Sequence, residues 1–272
     1  MAETNLISLR GLELIITYRG ASQDRRDNLR GVLHHLNRTY SDYQIWLLEA
    51  DATPTFNWAE LGDPKIRHVF VHDTGPFPKA RLVNLGALMA KSSIICMHDA
   101  DMIANPHYMR GAINALMDHD NSDALCPFTR VLNVSGNRRQ SFIESGEFDE
   151  FAPFLTSDLP DEMSVLYVST PGAINFFKRT EFIRVGGLDP GFVGWGGEDD
   201  ELILRAARLG VRWHSFSDPE ATLFHLNHDS ASRAQLLEEE LTAKNRQMAL
   251  RTREIPIEEL EARAAELAAY FR

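Results

Sequence analysis

Two aspartates closing an apolar run, in His98-Asp-Ala-Asp101, are the first residues from which chemistry can be argued. In extended chain, side chains two positions apart share a face, so Asp99 and Asp101 can present carboxylates to one point. Hard oxygen ligands at the carboxyl end of a strand suit Mg²⁺ or Mn²⁺, which keep coordination positions open for phosphate oxygens. The plainer explanation is that aspartate is a good turn residue after a strand. His225 and His228, within Leu223-Phe-His-Leu-Asn-His-Asp229, are three apart, and at least one of them can complete a metal shell with Asp101. A histidine in an apolar run is as readily a structural residue, and a zinc hydrolase is disfavoured because no His-Glu-x-x-His motif occurs.

A second block, Gly191-Phe-Val-Gly-Trp-Gly-Gly-Glu-Asp-Asp-Glu201, places four glycines within seven residues around Trp195. Such a backbone can rearrange. A tryptophan inside it suits stacking on the C–H face of a sugar ring more than a place in a core. The acids that follow open a helix-like stretch, where carboxylates in the first turn favour the helix dipole. Asp200 and Glu201 are assigned to that role. The same dipole favours an ionised Glu198 or Asp199, as a proton-accepting base requires. Donor groups complete the set. Tyr18-Arg19 closes the first strand-like run, and Phe77-Pro-Lys-Ala-Arg81 opens a helix. Arg and Lys there can hold phosphate, and the rings can stack on a base or sugar. Asp73, just upstream, can accept hydrogen bonds from a nucleotide base or ribose.

These residues need a scaffold that brings them together. Strand-like runs at 12–17, 43–48, 66–71 and 93–97 alternate with helical spacing over 24–36 and 79–91. That alternation predicts a mainly parallel sheet covered on both faces, with ligands at the carboxyl ends of its strands. From 136 to about 160 no period is visible, which predicts a long functional loop or a mobile insert, expected to shape the acceptor side. Strands are expected at 165–169 and 172–177, and a helix at 200–209 stopped by Gly210. From Ser232 the chain predicts two amphipathic helices broken near Ile255-Pro256. The reading is one catalytic domain, 1–230, with a helical C-terminal appendage, 231–272, that packs on it by default.

Composition bounds the function. The 272 residues are 44% hydrophobic and 25% charged, with a net charge of −11, a field that repels nucleic acid and anionic lipid. A phosphorylated ligand therefore needs local cations. No apolar run approaches the roughly 18 residues that cross a bilayer. With two cysteines, Cys96 and Cys126, no disulfide scaffold is expected. No secretory leader is visible, so a cytoplasmic location is expected, with peripheral membrane association open.

In order along the chain, Ile16-Thr-Tyr-Arg19, Phe77-Pro-Lys-Ala-Arg-Leu-Val-Asn-Leu-Gly86, Asp99-Ala-Asp101, Gly194-Trp-Gly-Gly-Glu-Asp-Asp200 and His225-Leu-Asn-His228 resemble the GT-A fold glycosyltransferases, in particular the β-1,4-galactosyltransferase and chondroitin-polymerase branch. The resemblance spans about Leu12 to Met248. It implies a Rossmann-like α/β fold and Mn²⁺ (or Mg²⁺) held by Asp101 and His228. His225 falls where those galactosyltransferases often use a methionine ligand. Asp99 sits by ribose and metal. Thr17, Tyr18, Arg19, Asp73, Phe77 and Lys79 cradle the nucleotide. Trp195 closes over donor and acceptor with Gly196 and Gly197 beside it, Glu198 binds sugar hydroxyls, and Asp199 is the general base. Thr17 stands where a proline is usual, and the animal enzymes are membrane-anchored and cysteine-bridged.

The activity implied is inverting transfer of a hexose or N-acetylhexosamine from a UDP-sugar, UDP-galactose or UDP-N-acetylgalactosamine first, to a glycan or lipid-linked saccharide. The rivals are a sugar-nucleotide-forming nucleotidyltransferase, for which Tyr18-Arg-Gly-Ala-Ser22 is a poor phosphate loop, and an inactive carbohydrate-binding protein of the same fold.

Overall fold

A computed structural model describes residues 6–55, 63–118, 122–155, 157–168, 171–229 and 239–272. In chain order the first half contains β1 (Ile7–Tyr18), α1 (Gln23–Thr39), β2 (Tyr40–Asp51), β3 (Ile66–His72), α2 (Lys79–Met89), β4 (Ile94–Asp99), β5 (Met102–Ala104), α3 (Pro106–Met117), β6 (Ala124–Cys126), β7 (Arg130–Val134) and α4 (Gly136–Ser145). The second half contains β8 (Met163–Val168), β9 (Ile174–Lys178), α5 (Arg179–Arg184), α6 (Glu198–Arg208), β10 (Trp213–Ser215), β11 (Thr222–Leu226), α7 (Glu239–Arg251) and α8 (Ile257–Ala268).

Among the described residues, seven strands form the central sheet in the order β10-β6-β9-β4-β1-β2-β3. β1 runs parallel to β2 and β4, β2 to β3, and β10 to β6; β9 alone is antiparallel to its neighbours. This is the mainly parallel α/β sheet that the strand–helix alternation predicts. Side chains alternate between two cores. Leu14 and Ile16 face one with Leu29, Val32 and Leu36 of α1, while Ile15, Ile95 and Met97 face the other with Val83 of α2 and Leu202 of α6. Burial on both faces is why these strands read as continuous apolar runs.

The central strands end together. Thr17 pairs with Asp99, and Tyr18 with Glu49, so β1, β2 and β4 open onto one rim. The chain leaves β1 for β2 and β3 on one side and returns as β4 on the other, the topological switch at which such sheets bind ligands. A second sheet, β5-β11-β7-β8, stands over that rim. Its short strands lack the length for a clear sequence period.

Two expectations are corrected. Residues 136–160 are not an open loop. They contain α4 and two 3-10 turns, Phe148–Glu150 and Ala152–Leu155. Aromatic packing holds them, with Phe151 stacked between Phe142 at 4.7 Å and Phe224 at 4.5 Å. Stacked rings at irregular spacing leave no helical or strand period, so the sequence shows only a run without pattern. The helix expected at 200–209 begins two residues earlier, putting Glu198 and Asp199 inside its first turn behind the left-handed Gly197 (φ +89°). The strand expected at 165–169 is Met163–Val168, with Ser169 outside the described residues, as is the expected start of the C-terminal helices at Ser232.

The C-terminal helices are tied to the rest by polar contacts. Thr252 Oγ1 donates to Glu201 Oε1 at 3.3 Å, and Arg208 donates to Thr252 O at 2.7 Å. Arg263 pairs with Asp189, and Leu260 and Ala264 are buried. Among the described residues no helix is long and apolar enough to cross a membrane.

Candidate functional site

A cleft of about 350 Å³ opens at the switch point, and two ionic clusters lie on its walls. The first is Asp101, His225 and His228, whose ligand atoms lie within 4.8 Å of one another. β4 stops at Asp99, and the turn through Ala100 and Asp101 leads into β5. Antiparallel pairing sets His225 of β11 opposite Met102, and Leu226 N donates to Asp101 O at 2.8 Å. This is how the sheet joins two motifs remote in sequence. Nε2 of His225 is 3.8 Å and Nε2 of His228 3.7 Å from Asp101 Oδ2. The opposite ring nitrogens are engaged: His225 Nδ1 lies 2.8 Å from Asn133 Oδ1, and His228 Nδ1 3.3 Å from Asp229 O. Both partners are acceptors, so each Nδ1 donates to them, and each Nε2 is directed toward the carboxylate, where the neutral form of the ring offers a lone pair to a metal. Burial acts to raise the Asp101 pKa, but His225, Arg25, His228 and His98 outweigh it and hold it below the usual carboxylate range. One carboxylate oxygen and two imidazole nitrogens converging on one point fit a divalent cation such as Mn²⁺.

The second cluster is built on Lys79. Its Nζ lies 2.9 Å from Asp199 Oδ2, 3.2 Å from Glu198 Oε1 and 3.4 Å from Asp99 Oδ1. Burial works against the ammonium, but the three carboxylates prevail and raise its pKa well above the ordinary lysine value. Desolvation pushes Asp99 up to about 7; Lys79 opposes this, and the charges of Asp101, Asp199 and Glu198 add to it. Glu198 is raised as well, by burial first, against the pull of Lys79.

Four of the expected site residues, Asp99, Lys79, Arg19 and Asp73, make contacts with the chain itself. Asp99 lies outside the Asp101, His225 and His228 cluster, because the chain turns between Asp99 and Asp101 and the alternation of an extended strand no longer applies. Its carboxylate faces Lys79. Lys79 lines the cleft and is engaged by the acids around it. Arg19 is engaged too: it donates to Ala50 O and Gly75 O, each at 2.7 Å, and to Asp73 Oδ1 at 3.3 Å. It thereby pins the loop after β3, while its guanidinium lies 5.4 Å from the centre of the Phe77 ring. Asp73, held by Arg19 and by Gly75 N at 2.9 Å, lines a neighbouring cavity rather than this cleft.

Thr17, Tyr18, Phe77, Gly196, Gly197, Glu198 and Asp199 all line the cleft, as does Trp195, which remains 46% exposed. The tryptophan loop is held at and just before Trp195. Gly194 N donates to Phe77 O at 3.1 Å, and Asn245 of α7 donates to Val193 O at 3.0 Å and Trp195 O at 3.3 Å. A side chain on Gly197 would meet Asn245 O at 3.1 Å, which adds close approach to its positive φ as a reason for glycine there.

Sequence reasoning missed Arg25, Asn133, Tyr167, Gly172 and Asn245. Tyr167, from β8, lines the cleft with its pKa raised by burial and by nearby Asp99 and Asp101. Gly172 gives Asp199 room, since a Cβ there would stand 3.2 Å from Asp199 Oδ2. None carries a motif signal of its own; Asn133 and Tyr167 depend on the pairing of the second sheet. Glu201 lies in the first turn of α6, as expected, and is also fully buried in a two-pronged pair with Arg205, both bonds 2.9 Å.

Residues 162–229 match the family described as the N-terminal domain of galactosyltransferase, a span that holds the tryptophan loop, Asp199 and both histidines. Among solved structures, the chain is similar to the catalytic domain of Drosophila β1,4-galactosyltransferase 7 in complex with xylobiose, at 18% identity over 83% of this chain and 73% of that one, with a TM-score of 0.46. It is also similar to a substituted form of that enzyme in complex with manganese, UDP-Gal and xylobiose, at 18% identity over 86% of this chain and 76% of that one, with a TM-score of 0.50. The fold is thus that of a GT-A galactosyltransferase.

Proposed function

We propose that the protein is a metal-dependent, inverting glycosyltransferase that moves a hexose or N-acetylhexosamine from a UDP-sugar to a hydroxyl of a glycan or lipid-linked saccharide. The observation that carries this reading is the meeting of Asp101, His225 and His228 on one wall of a cleft whose other wall holds Asp199 and Trp195. UDP-galactose is the first donor to test, with UDP-N-acetylgalactosamine next. Support comes from the galactosyltransferase family match and from the solved galactosyltransferase of like fold, which binds manganese and UDP-Gal.

The trio Asp101, His225 and His228 would hold Mn²⁺ or Mg²⁺, and that cation would offset the charge growing on the departing diphosphate. The chain's own residues do the rest. Thr17, Tyr18 and Phe77 form the nucleotide wall, with Phe77 steadied by Arg19. Trp195 covers the sugar, and the buried Glu198 binds its hydroxyls. Asp199 takes the proton from the acceptor hydroxyl as that oxygen bonds to the anomeric carbon. The bond from that carbon to the diphosphate oxygen breaks on the opposite face, and its electron pair leaves with UDP. An α-linked donor therefore gives a β-linked product. Lys79 orients the Asp199 carboxylate and offsets the charge of the three neighbouring acids.

The test is a panel of nucleotide sugars with Mn²⁺, read as donor hydrolysis and as transfer to saccharide acceptors. Metal-dependent release of UDP from one or two of them is expected. No release from any, with binding retained, identifies an inactive binding protein. Release of pyrophosphate from UTP and a sugar phosphate identifies a nucleotidyltransferase.

A further inference from the structure

The tryptophan loop runs from Asp189 to Gly197, where α6 begins, and Gly194, Gly196 and Gly197 within it all have positive φ. A backbone so rich in glycine does not fix its own path. The groups that fix it come from the C-terminal helices, outside the stretch that matches the galactosyltransferase family. Asn245 of α7 holds the carbonyls of Val193 and Trp195. At the base of the loop stands Asp189, which is buried. Its Oδ1 accepts from Gly191 N at 2.8 Å, and its Oδ2 pairs with NH2 of Arg263 on α8. NH1 of the same guanidinium lies 4.0 Å from Oε1 of Glu201, on the helix that opens with Glu198 and Asp199. One side chain of α8 thus reaches both the loop and the helix that carries the acids of the cleft.

The structure assigns to Arg263 the placing of Trp195 against Asp199: it is a positioning residue, and it acts through Asp189. The kinetic side of this inference rests on the glycosyltransferase reading; the placing of the loop does not. Glu201 is answered before Arg263 arrives, by the two bonds from Arg205. Asp189 has no other cationic partner among the described residues. A buried carboxylate that loses its one cation is left uncompensated, and it gains by moving toward water. Such a move drags Gly191 N and the chain leading to Trp195. The residue before the loop cannot follow, because buried Asn84 donates to Leu188 O at 2.7 Å and accepts from Leu188 N at 2.9 Å. The displacement therefore falls on the glycine-rich part. The planar guanidinium fork faces two acids at once, whereas a lysine ammonium is a single point of charge.

The experiment reads the loop first and turnover second. The full chain is grown with 5-fluorotryptophan, and the ¹⁹F signal of Trp195 is assigned by its loss in Trp195→Phe. Without any ligand, Arg263→Met should shift or broaden that signal and leave those of the other tryptophans in place. Arg263→Lys should give a smaller change of the same kind, and it carries the comparison if the methionine variant does not fold. A Trp195 signal unchanged in both variants overturns the inference, as does an equal disturbance of every tryptophan, the mark of a pair that only stabilises the fold. Kinetics with the donor that wild type uses then tests the route. Arg263→Met should lower kcat roughly tenfold to a hundredfold, the range of a bond to a charged group, with the donor KM within about threefold. Asp189→Asn keeps an oxygen for Gly191 N and drops the charge that needs Arg263, so it should cost less. In the Asp189→Asn background, Arg263→Met should change kcat less than about twofold, because residues acting as one unit are not additive. Equal losses in the two backgrounds overturn the route through Asp189. A wild type that turns over no nucleotide sugar defeats the proposed activity, and the ¹⁹F comparison still decides whether Arg263 places the loop.

Discussion

The two ionic clusters of the cleft solve the same problem differently. Around Lys79, three carboxylates share a cation supplied by the chain itself, within 3.4 Å of each. Around Asp101, two imidazoles and a carboxylate face one point, with the edge of Arg25 beside them. The first cluster is complete as folded, and its acids are fixed in place. The second gathers side chains of the types that ligate divalent cations, steadied from behind by Asn133 and the Asp229 carbonyl. A permanent internal cation gives geometry; an exchangeable one gives chemistry that depends on what arrives.

The contrast can be broken most severely at Asp101. Asp101→Ala should lower Mn²⁺ affinity by more than roughly a hundredfold, since changes one layer further out already cost about tenfold to a hundredfold. Calorimetry with and without Mn²⁺ should then show metal-dependent donor binding abolished. Asp199→Asn tests the other wall. It should cut turnover by about 10²–10⁴, the usual contribution of a general base, while donor affinity stays within about threefold; unchanged turnover would remove Asp199 from that role. Lys79→Met asks whether the internal cation is what separates the clusters. The variant should lose on the order of 3 kcal/mol in denaturant unfolding without divalent ions, as an uncompensated buried charge does. Millimolar Ca²⁺ should return part of that stability, an effect absent from wild type.

Smaller effects sharpen the picture. Asn245→Ala removes both bonds to the tryptophan loop and should lower turnover about tenfold, one hydrogen bond's worth, with donor affinity little changed. Trp195 fluorescence, isolated by replacing the other tryptophans, should lose its response to metal and nucleotide. Far from the cleft, burial lowers the pKa of His35 to about 4, and its ring accepts no proton as folded; Nδ1 lies 3.0 Å from Gly146 O. The unfolded chain binds that proton near pH 6.5. Stability is therefore full above that pH and falls as pH drops toward about 4, by up to roughly 1.4 kcal/mol per unit for one proton. Denaturant melts of His35→Gln should show a shallower loss over that window.

What could be read from residues alone follows the length scale of the signal. β1, β2 and β4 are long apolar runs because both their faces are buried, and α1 and α2 carry helical spacing, so the central sheet and its binding rim are legible. Asp101, His225, His228, Asp199 and Trp195 are legible as types that need a common point. Which cation serves which anion is not. Lys79 and Arg19 look like phosphate ligands in sequence because nothing local reveals that Asp199 or the Ala50 and Gly75 carbonyls will reach them. Arg25 sits in an ordinary helix start, and only the pairing of β11 with β5 and the bond from Asn28 Nδ2 to Leu226 O, 2.6 Å, bring it to His228. The 136–160 stretch misleads for a related reason: stacked phenylalanines hold it without any repeat.

The claim on which the rest depends is that Asp101, His225 and His228 close on one divalent cation. Pulsed electron paramagnetic resonance of Mn²⁺ bound to the full chain tests it directly, because imidazole nitrogens coupled to the metal modulate the echo. One Mn²⁺ per chain with two histidine nitrogens is expected, one of them lost in His225→Ala and one in His228→Ala. A spectrum without nitrogen modulation, or one unchanged in both variants, would contradict it.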